Sequence, residues 1–240
     1  MKKNLNYLSF VYWLEFMFGH ERYLVRKEIT EKIKNLKDGS DVLDVGSGDC
    51  RYKDLFVKHN YYTQDLRLDN NFGYKKIDYD CDLEELIDRN LKFDFLLSTF
   101  VLEHVFDFEN FINKMGKLTK QGGIIFITTA FSYFEHAKPN DYFRFSRNAF
   151  NRLIEEKFKN QLEIIECRPL DKIFTYMLNF FINLPFYFLG DNSLIAKIFL
   201  IIVSPLILIL RFLTNLLNYF DKKNNMYCVI YLCLRKKQHD

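Results

Sequence analysis

The chain has 240 residues, 49% hydrophobic and 18% aromatic, with a formal net charge of +3. That length suits one α/β domain with a sizeable core, and a charge so near balance supplies no field for nucleic acid. The five cysteines (Cys50, Cys81, Cys167, Cys228, Cys233) form no CxxC pair, so no metal site and no thioredoxin-type motif is expected, and a reducing compartment fits best.

Leu5 to Phe18 and Glu21 to Leu36 read as helices, the second with apolar residues at helical spacing (Leu24, Val25, Ile29, Ile33, Leu36) and a stop at Asp38-Gly39. The first apolar run is broken by Glu15, Gly19 and His20, so it does not read as a secretory signal. Asp41-Val42-Leu43-Asp44-Val45 is then a short buried strand running into Gly46-Ser47-Gly48. Further strand candidates are Tyr61 to Gln64, Lys75 to Asp78, Phe93 to Ser98, Gly123 to Thr129 and Leu162 to Cys167. Helical stretches lie between them at Lys53 to Lys58, Leu83 to Asp88, Phe108 to Leu118 and Asn148 to Phe158. Such alternation implies a mainly parallel sheet covered on both faces. Ile173 to Gly190 carries no charge, and Ile198 to Leu210 is interrupted only by Ser204 and Pro205. These runs are too long and too apolar for an ordinary αβ connection. Met226 to Leu234 reads as the last strand.

In an open parallel sheet, ligands bind outside the carboxyl ends of the strands. Gly46-Ser47-Gly48 sits at such an end, where glycine lets backbone approach a ligand. A dinucleotide fingerprint would need a third glycine where Arg51 stands, and no GK[ST] follows to make a phosphate-binding P-loop. Asp65 follows the second strand candidate, where a carboxylate can accept from both hydroxyls of a ribose. Asp82 follows the third, where it can accept from an exocyclic amine. Turn and helix-cap duty is the competing reading for each acid taken alone; acids at successive strand ends beside a GxG favour a nucleoside-bearing ligand.

These residues carry a family resemblance. Val42-Leu43-Asp44-Val45-Gly46-Ser47-Gly48, Phe93-Asp94-Phe95-Leu96-Leu97-Ser98-Thr99, Val101-Leu102-Glu103-His104-Val105 and Leu118-Thr119-Lys120-Gln121-Gly122-Gly123-Ile124-Ile125 follow one another in the order of class I S-adenosylmethionine (SAM)-dependent methyltransferases of the type 11 kind. The last piece resembles that family's turn before the fifth strand, with Gln121 in place of proline. The resemblance implies a Rossmann-like seven-stranded α/β fold with SAM as cofactor. It implies that Asp44, Gly46, Ser47 and Gly48 lie along the methionine part, that Asp65 and Leu66 hold the ribose, and that Asp82 and Leu83 hold the adenine. Ser98 and Thr99 would line the sulfonium side.

The acceptor side rests on fewer signals. His104 follows the fourth expected strand and begins a helix, and His136 lies in the loop after the fifth; either can serve as a base near neutral pH. Packing at a helix start is the competing role for His104, and a structural one for Glu103. The segment His136 to Ser146 resembles the H-x-x-P-x-D-Y-F-R-F-[ST] stretch of a methyltransferase subgroup associated with cell-surface polysaccharides. There Asp141, Tyr142 and Arg144 are candidate acceptor contacts. The competing reading is a lid braced by Asp141 and Arg144, with Ser146 capping the next helix.

The expected organisation is an N-terminal helical cover over residues 1–37, a SAM-binding domain over 38–170 and 224–240, and a hydrophobic insert over 171–223. The insert is expected at a membrane, as a hairpin or as interfacial helices at the cytoplasmic leaflet. A single crossing is excluded, because it would put neighbouring strands of one sheet on opposite sides. The expected reaction is O-methylation of a sugar or lipid-linked glycan precursor. A quinone or lipid acceptor, or an inactive SAM-binding scaffold, is the alternative.

Overall fold

The computed structural model describes residues 11–67, 77–190 and 193–238. It divides into two compact units, Met1–Lys27 with Pro169–Cys228, and Glu28–Arg168 with Val229–Asp240.

The larger unit is built on a sheet of six strands: β1 (Asp41–Val45), β2 (Asn60–Gln64), β3 (Phe93–Thr99), β4 (Thr119–Ala130), β5 (Leu162–Pro169) and β6 (Val229–Lys236). Their order is β2-β1-β3-β4-β6-β5. β1 runs parallel to β2 and β3, and β3 parallel to β4; β6 is antiparallel to β4. Val42, Leu43 and Val45 of β1 and Phe95, Leu96 and Leu97 of β3 are buried, as expected of central strands covered on both faces. Helices α1 (His20–Ile33), α2 (Leu83–Asp88), α3 (Phe108–Leu118) and α4 (Arg147–Leu153) accompany them. In α3 the buried Ile112, Met115 and Leu118 recur at helical spacing, and Asp107 caps the start by accepting from the Asn110 N–H at 3.3 Å. α4 passes into a π turn, Ile154–Phe158.

Seven strands are expected and six are found among the described residues. The strand candidate Lys75 to Asp78 lies partly outside the described residues, and the chain just beyond it makes a single parallel bridge between Gln64 and Tyr79. Backbone bonds make that bridge, from the Tyr79 N–H to the Thr63 carbonyl at 2.9 Å and from the Asp65 N–H to the Tyr79 carbonyl at 3.2 Å, and side chains flank it. The Asp78 carboxylate accepts from the Thr63 N–H at 2.9 Å and the Thr63 hydroxyl at 2.8 Å, while the Asp78 N–H donates to that hydroxyl at 2.9 Å. The Gly122-Gly123 turn also differs from expectation, because β4 begins before it and the pairing with β3 shifts between Phe93 and Phe95. A Cβ on Gly123 would stand 2.9 Å from the Asp94 carbonyl oxygen, so this irregularity needs glycine.

The smaller unit is helical. It holds the helical residues 11–18, the first half of α1, and helices α5 (Ile173–Leu189) and α6 (Leu194–Leu217). Met17, Leu178, Ile182, Leu200 and Ile207 form its core. α5 ends at Gly190 with φ 85°, and Ser193 caps α6 by accepting from the Ala196 N–H at 3.3 Å. At the other end Lys172 donates to the carbonyls of Asn218 (3.1 Å) and Asp221 (3.3 Å), and Asp171 accepts from the Cys228 N–H at 2.9 Å. The sequence suggests that Pro205 interrupts the second apolar run. Instead α6 continues through it for 24 residues, about 36 Å at 1.5 Å per residue. Proline denies the Ile201 carbonyl its helical N–H partner, and the Ser204 hydroxyl donates to that oxygen at 2.8 Å. Phe188, Leu194, Ile195, Ile201, Ile202 and Phe212 are exposed along the hairpin.

Candidate active site

The loop after β1 is held by the end of β2. The Gly46 and Ser47 N–H groups both donate to the Gln64 carbonyl, at 2.9 and 3.0 Å, and the Gly48 N–H donates to the Asp65 carboxylate at 2.9 Å. Gly46 has φ 69°, and a Cβ there would lie 2.5 Å from Cγ2 of Val101. Glycine is therefore required twice over, for its conformation and for the approach of the loop following β3. Asp44 is buried and accepts from the Tyr61 hydroxyl. Burial pushes its carboxyl up to about 7; the Tyr61 hydrogen bond opposes this, and the charges of Asp65 and Asp49 add to it.

Asp65 also accepts from the Arg67 N–H at 2.8 Å, so its two oxygens span the glycine loop and its own following turn. Asp82 caps α2 through the Glu84 N–H at 2.8 Å and pairs with Lys114 at 2.6 Å. Burial acts to raise its pKa, but the Lys114 and Glu84 hydrogen bonds outweigh it and the net shift is downward. Leu83 is buried behind it, and Gln64 Nε2 ties the region to the Cys81 carbonyl at 2.6 Å. The Ser47 and Ser98 hydroxyls are buried and find no hydrogen-bond partner among the described residues. Orphaned donors beside a loop with no room for a side chain are what a polar ligand at these strand ends would satisfy. The residues present thus fit SAM.

Beyond β3, Leu102–His104 is a single 3-10 turn. His104 ends it and starts no helix, because the next helix waits for its Asp107 cap. Glu103 is fully buried: its carboxylate accepts from the Thr129 hydroxyl at 2.7 Å and the Ala130 N–H at 3.3 Å. Its backbone carbonyl accepts from the N–H groups of Tyr142 (2.9 Å) and Phe143 (3.2 Å). Glu103 therefore anchors the 136–146 loop to the end of β4. Within the loop, both Arg144 nitrogens reach Asp141, at 2.6 and 2.8 Å, and the Asp141 carboxylate also accepts from the His136 N–H at 2.9 Å. The Arg144 hydrogen bonds hold Asp141 far below the usual carboxylate range, against the opposing effect of burial. Ser146 caps α4 by accepting from the Ala149 N–H at 3.3 Å. The His104 and His136 rings stand edge to face with centroids 4.7 Å apart. Each uses Nδ1 on a backbone carbonyl, His104 on Asn140 at 2.7 Å and His136 on Phe134 at 3.0 Å.

Residues 17–165 match a family described as a methyltransferase domain. The chain belongs to this family. The chain is 43% identical over 107 residues to a protein of Pelagibacter ubique named ubiquinone biosynthesis O-methyltransferase, a match covering 40% of this chain and 43% of the relative. The chain thus spans less than half the length of that relative. Among solved structures it is similar to a Haemonchus contortus phosphoethanolamine N-methyltransferase 2 in complex with SAM (TM-score 0.54, 16% identity, 93% of this chain and 56% of that one). It is also similar to a SAM-dependent methyltransferase of Clostridium acetobutylicum (TM-score 0.52, 14% identity, 97% of this chain and 99% of that one). At such identities the structures speak for the fold alone, which is that of the class I SAM-dependent enzymes.

The fold gathers the expected residues into two groups. Asp44, Gly46, Ser47, Gly48 and Asp65 meet at the ends of β1 and β2, and Ser98 and Thr99 close β3. Leu66 is half exposed. Glu103, His104, His136, Asp141 and Arg144 form the second group, while Tyr142 turns outward, 42% exposed, with its hydroxyl donating to Asn140 Oδ1 at 2.9 Å. Sequence reasoning missed Tyr61, Gln64 and Val101. A polar Gln64 closing an otherwise aromatic strand was the available hint; nothing marked Tyr61 as the partner of Asp44.

Proposed function

We propose that the protein transfers the methyl group of SAM to a hydroxyl of a lipid-linked glycan precursor at a membrane surface. Asp44, the Gly46–Gly48 loop, Asp65 and Asp82 would hold the cofactor, which when bound supplies a methyl group activated by its sulfonium. The Glu103–His104–His136 group would activate the acceptor hydroxyl. Its support is the hydrogen bonding of the two rings: a carbonyl can only accept, so each Nδ1 carries the proton and each Nε2 presents the lone pair. Nitrogen lone pairs at the acceptor side suit an O–H nucleophile, whose proton must be removed as the C–O bond forms. The Asp141–Arg144 brace would position the loop above the acceptor, in keeping with the subgroup that its sequence resembles.

The membrane side of the reading rests on α6, whose length and composition suffice for a crossing and of which a small share is buried. A hairpin returns both of its ends to one side, as neighbouring strands of one sheet require.

One observation favours a second acceptor class, the phenolic hydroxyl of an isoprenoid quinol. It is the likeness to the Pelagibacter protein and the name that protein carries. Detergent-solubilised protein given methyl-labelled SAM separates the readings. Label in a lipid-linked saccharide fraction supports the first, and label in the O-methylated product of an added demethylated quinol supports the second. Bound SAM with no release of S-adenosylhomocysteine from either would leave a scaffold.

A further inference from the structure

Glu103, His104 and His136 each offer one ligating atom, and these atoms lie within 4.8 Å of one another. We propose that they form a divalent-metal site of the two-histidine, one-carboxylate kind, which binds the acceptor oxygen. This deepens the proposed function, with the histidines activating the hydroxyl as ligands in place of acting as base, and goes against the expectation from the cysteine pattern, which saw no metal site. A single ion about 2.0–2.2 Å from nitrogen and oxygen ligands needs donor atoms some 3–4 Å apart, so a pair at the 4.8 Å limit would close by about 1–2 Å.

The surroundings are those of a metal centre. Metal-ligating histidine almost always gives its other ring N–H to a carbonyl or carboxylate, which fixes the tautomer and the ring. Both rings do so, through Nδ1, to Asn140 and Phe134. Asp141 adds a carboxylate 3.5 Å from Nδ1 of His136, and is itself held by Arg144. Glu103 is anchored through one protein donor to each carboxylate oxygen. A carboxylate has about four lone-pair positions, so each oxygen keeps capacity for an ion. A simpler account, two packed imidazoles above a structural glutamate, explains the Glu103 bonds. It gives no reason for two imidazoles to gather at a buried carboxylate with Nδ1 of each ring turned to a backbone carbonyl.

Two imidazoles and one carboxylate suit borderline ions such as Zn²⁺, Co²⁺ or Fe²⁺ better than Mg²⁺, which prefers oxygen. Three protein ligands leave a coordination position open for an acceptor oxygen. Bound there, the acceptor hydroxyl loses its proton to water at neutral pH. The oxygen keeps the O–H electron pair and forms the new bond to the methyl carbon, while the sulfur of SAM keeps the pair of the broken S–C bond.

The test uses Co²⁺ as probe, on full-length, chelator-stripped protein in detergent. The expectation is one Co²⁺ per chain with visible d–d bands and no sulfur-to-metal charge-transfer band. His136→Ala should weaken binding at least about 100-fold while SAM affinity stays unchanged. His104→Ala should do the same, and Mg²⁺ should not displace Co²⁺. Absence of stoichiometric binding, a thiolate band, or equal binding by both alanine variants would overturn the site. Should Co²⁺ fail to bind while labelled methyl still reaches a hydroxyl acceptor, the metal site falls and the proposed reaction stands.

Discussion

Arg144 grips Asp141 with both of its terminal nitrogens, at 2.6 and 2.8 Å, and the Asp141 side chain is only 3% exposed. Removing one member of a buried ion pair costs roughly 3–5 kcal/mol because the other charge is stranded. Arg144 is 26% exposed, so Asp141→Asn should fall at the low end of that range. The cost should be local: hydrogen exchange in 136–146 should quicken while the sheet stays protected. The pH dependence has a definite sign. An unfolded Asp titrates near about 3.9, and the folded carboxyl lies well below that. The brace contributes fully above about pH 4 and is lost only as pH falls further. Loop protection in the unsubstituted protein should therefore not change between pH 7 and 5.

Gly46 can be separated into its two constraints. Gly46→Ala meets both a φ of 69° and a 2.5 Å approach to Val101. A left-handed conformation costs a residue with a Cβ about 1–2 kcal/mol, and the clash adds to it. SAM affinity, read by calorimetry, should drop at least tenfold. Gly46→Ala with Val101→Ala should regain some of the loss, since only the clash is relieved. No rescue would mean that the approach of Val101 plays no role.

Asp44 should make SAM binding depend on pH. Its carboxyl is raised to about 7, by burial first. The folded state thus keeps a proton that the unfolded chain releases near about 3.9. Its contribution to stability is greatest below about pH 4, declines as pH rises to about 7 and is flat beyond. A cationic ligand prefers the ionised form, so affinity should increase from pH 6 to 8. Asp44→Asn should bind more weakly and show no such rise; a parallel rise in that variant would assign it to another group.

The apolar hairpin should bind bilayers. Unsubstituted protein should float with liposomes in a density gradient. Ile195→Glu with Ile202→Glu alters two exposed positions of α6, and a central charge costs a membrane helix about 2.5–3.5 kcal/mol. The double variant should stay at the bottom of the gradient with SAM affinity intact. Flotation of both proteins alike would remove the hairpin as anchor.

Much of this was legible in the sequence because apolar period and glycine placement report local geometry directly. α2 and α3 fall on the residues that their periodicity marked, and β1 ends at its GxG. What failed were features decided by side-chain competition. At the end of the expected third strand the Asp78 carboxylate, not a backbone carbonyl, takes the Thr63 N–H. The run read as Ile198 to Leu210 lies in a longer helix, α6, where the Ser204 hydroxyl donates to the carbonyl that Pro205 deserts. The glycine loop after β1 could be read from its local sequence, whereas Glu103 and His136 come together only through tertiary pairing of loops far apart in the chain.

That hydroxyl has a use of its own. In water, Ser204→Ala would cost α6 little, since solvent can hydrate the Ile201 carbonyl. In hydrocarbon the same oxygen would have nothing to accept from, at a cost of several kcal/mol. One atom in the middle of the helix thereby reports the medium around it. The loss of stability on Ser204→Ala, compared in lipid and in aqueous buffer, reads the local polarity at that depth without a dye or a spin label.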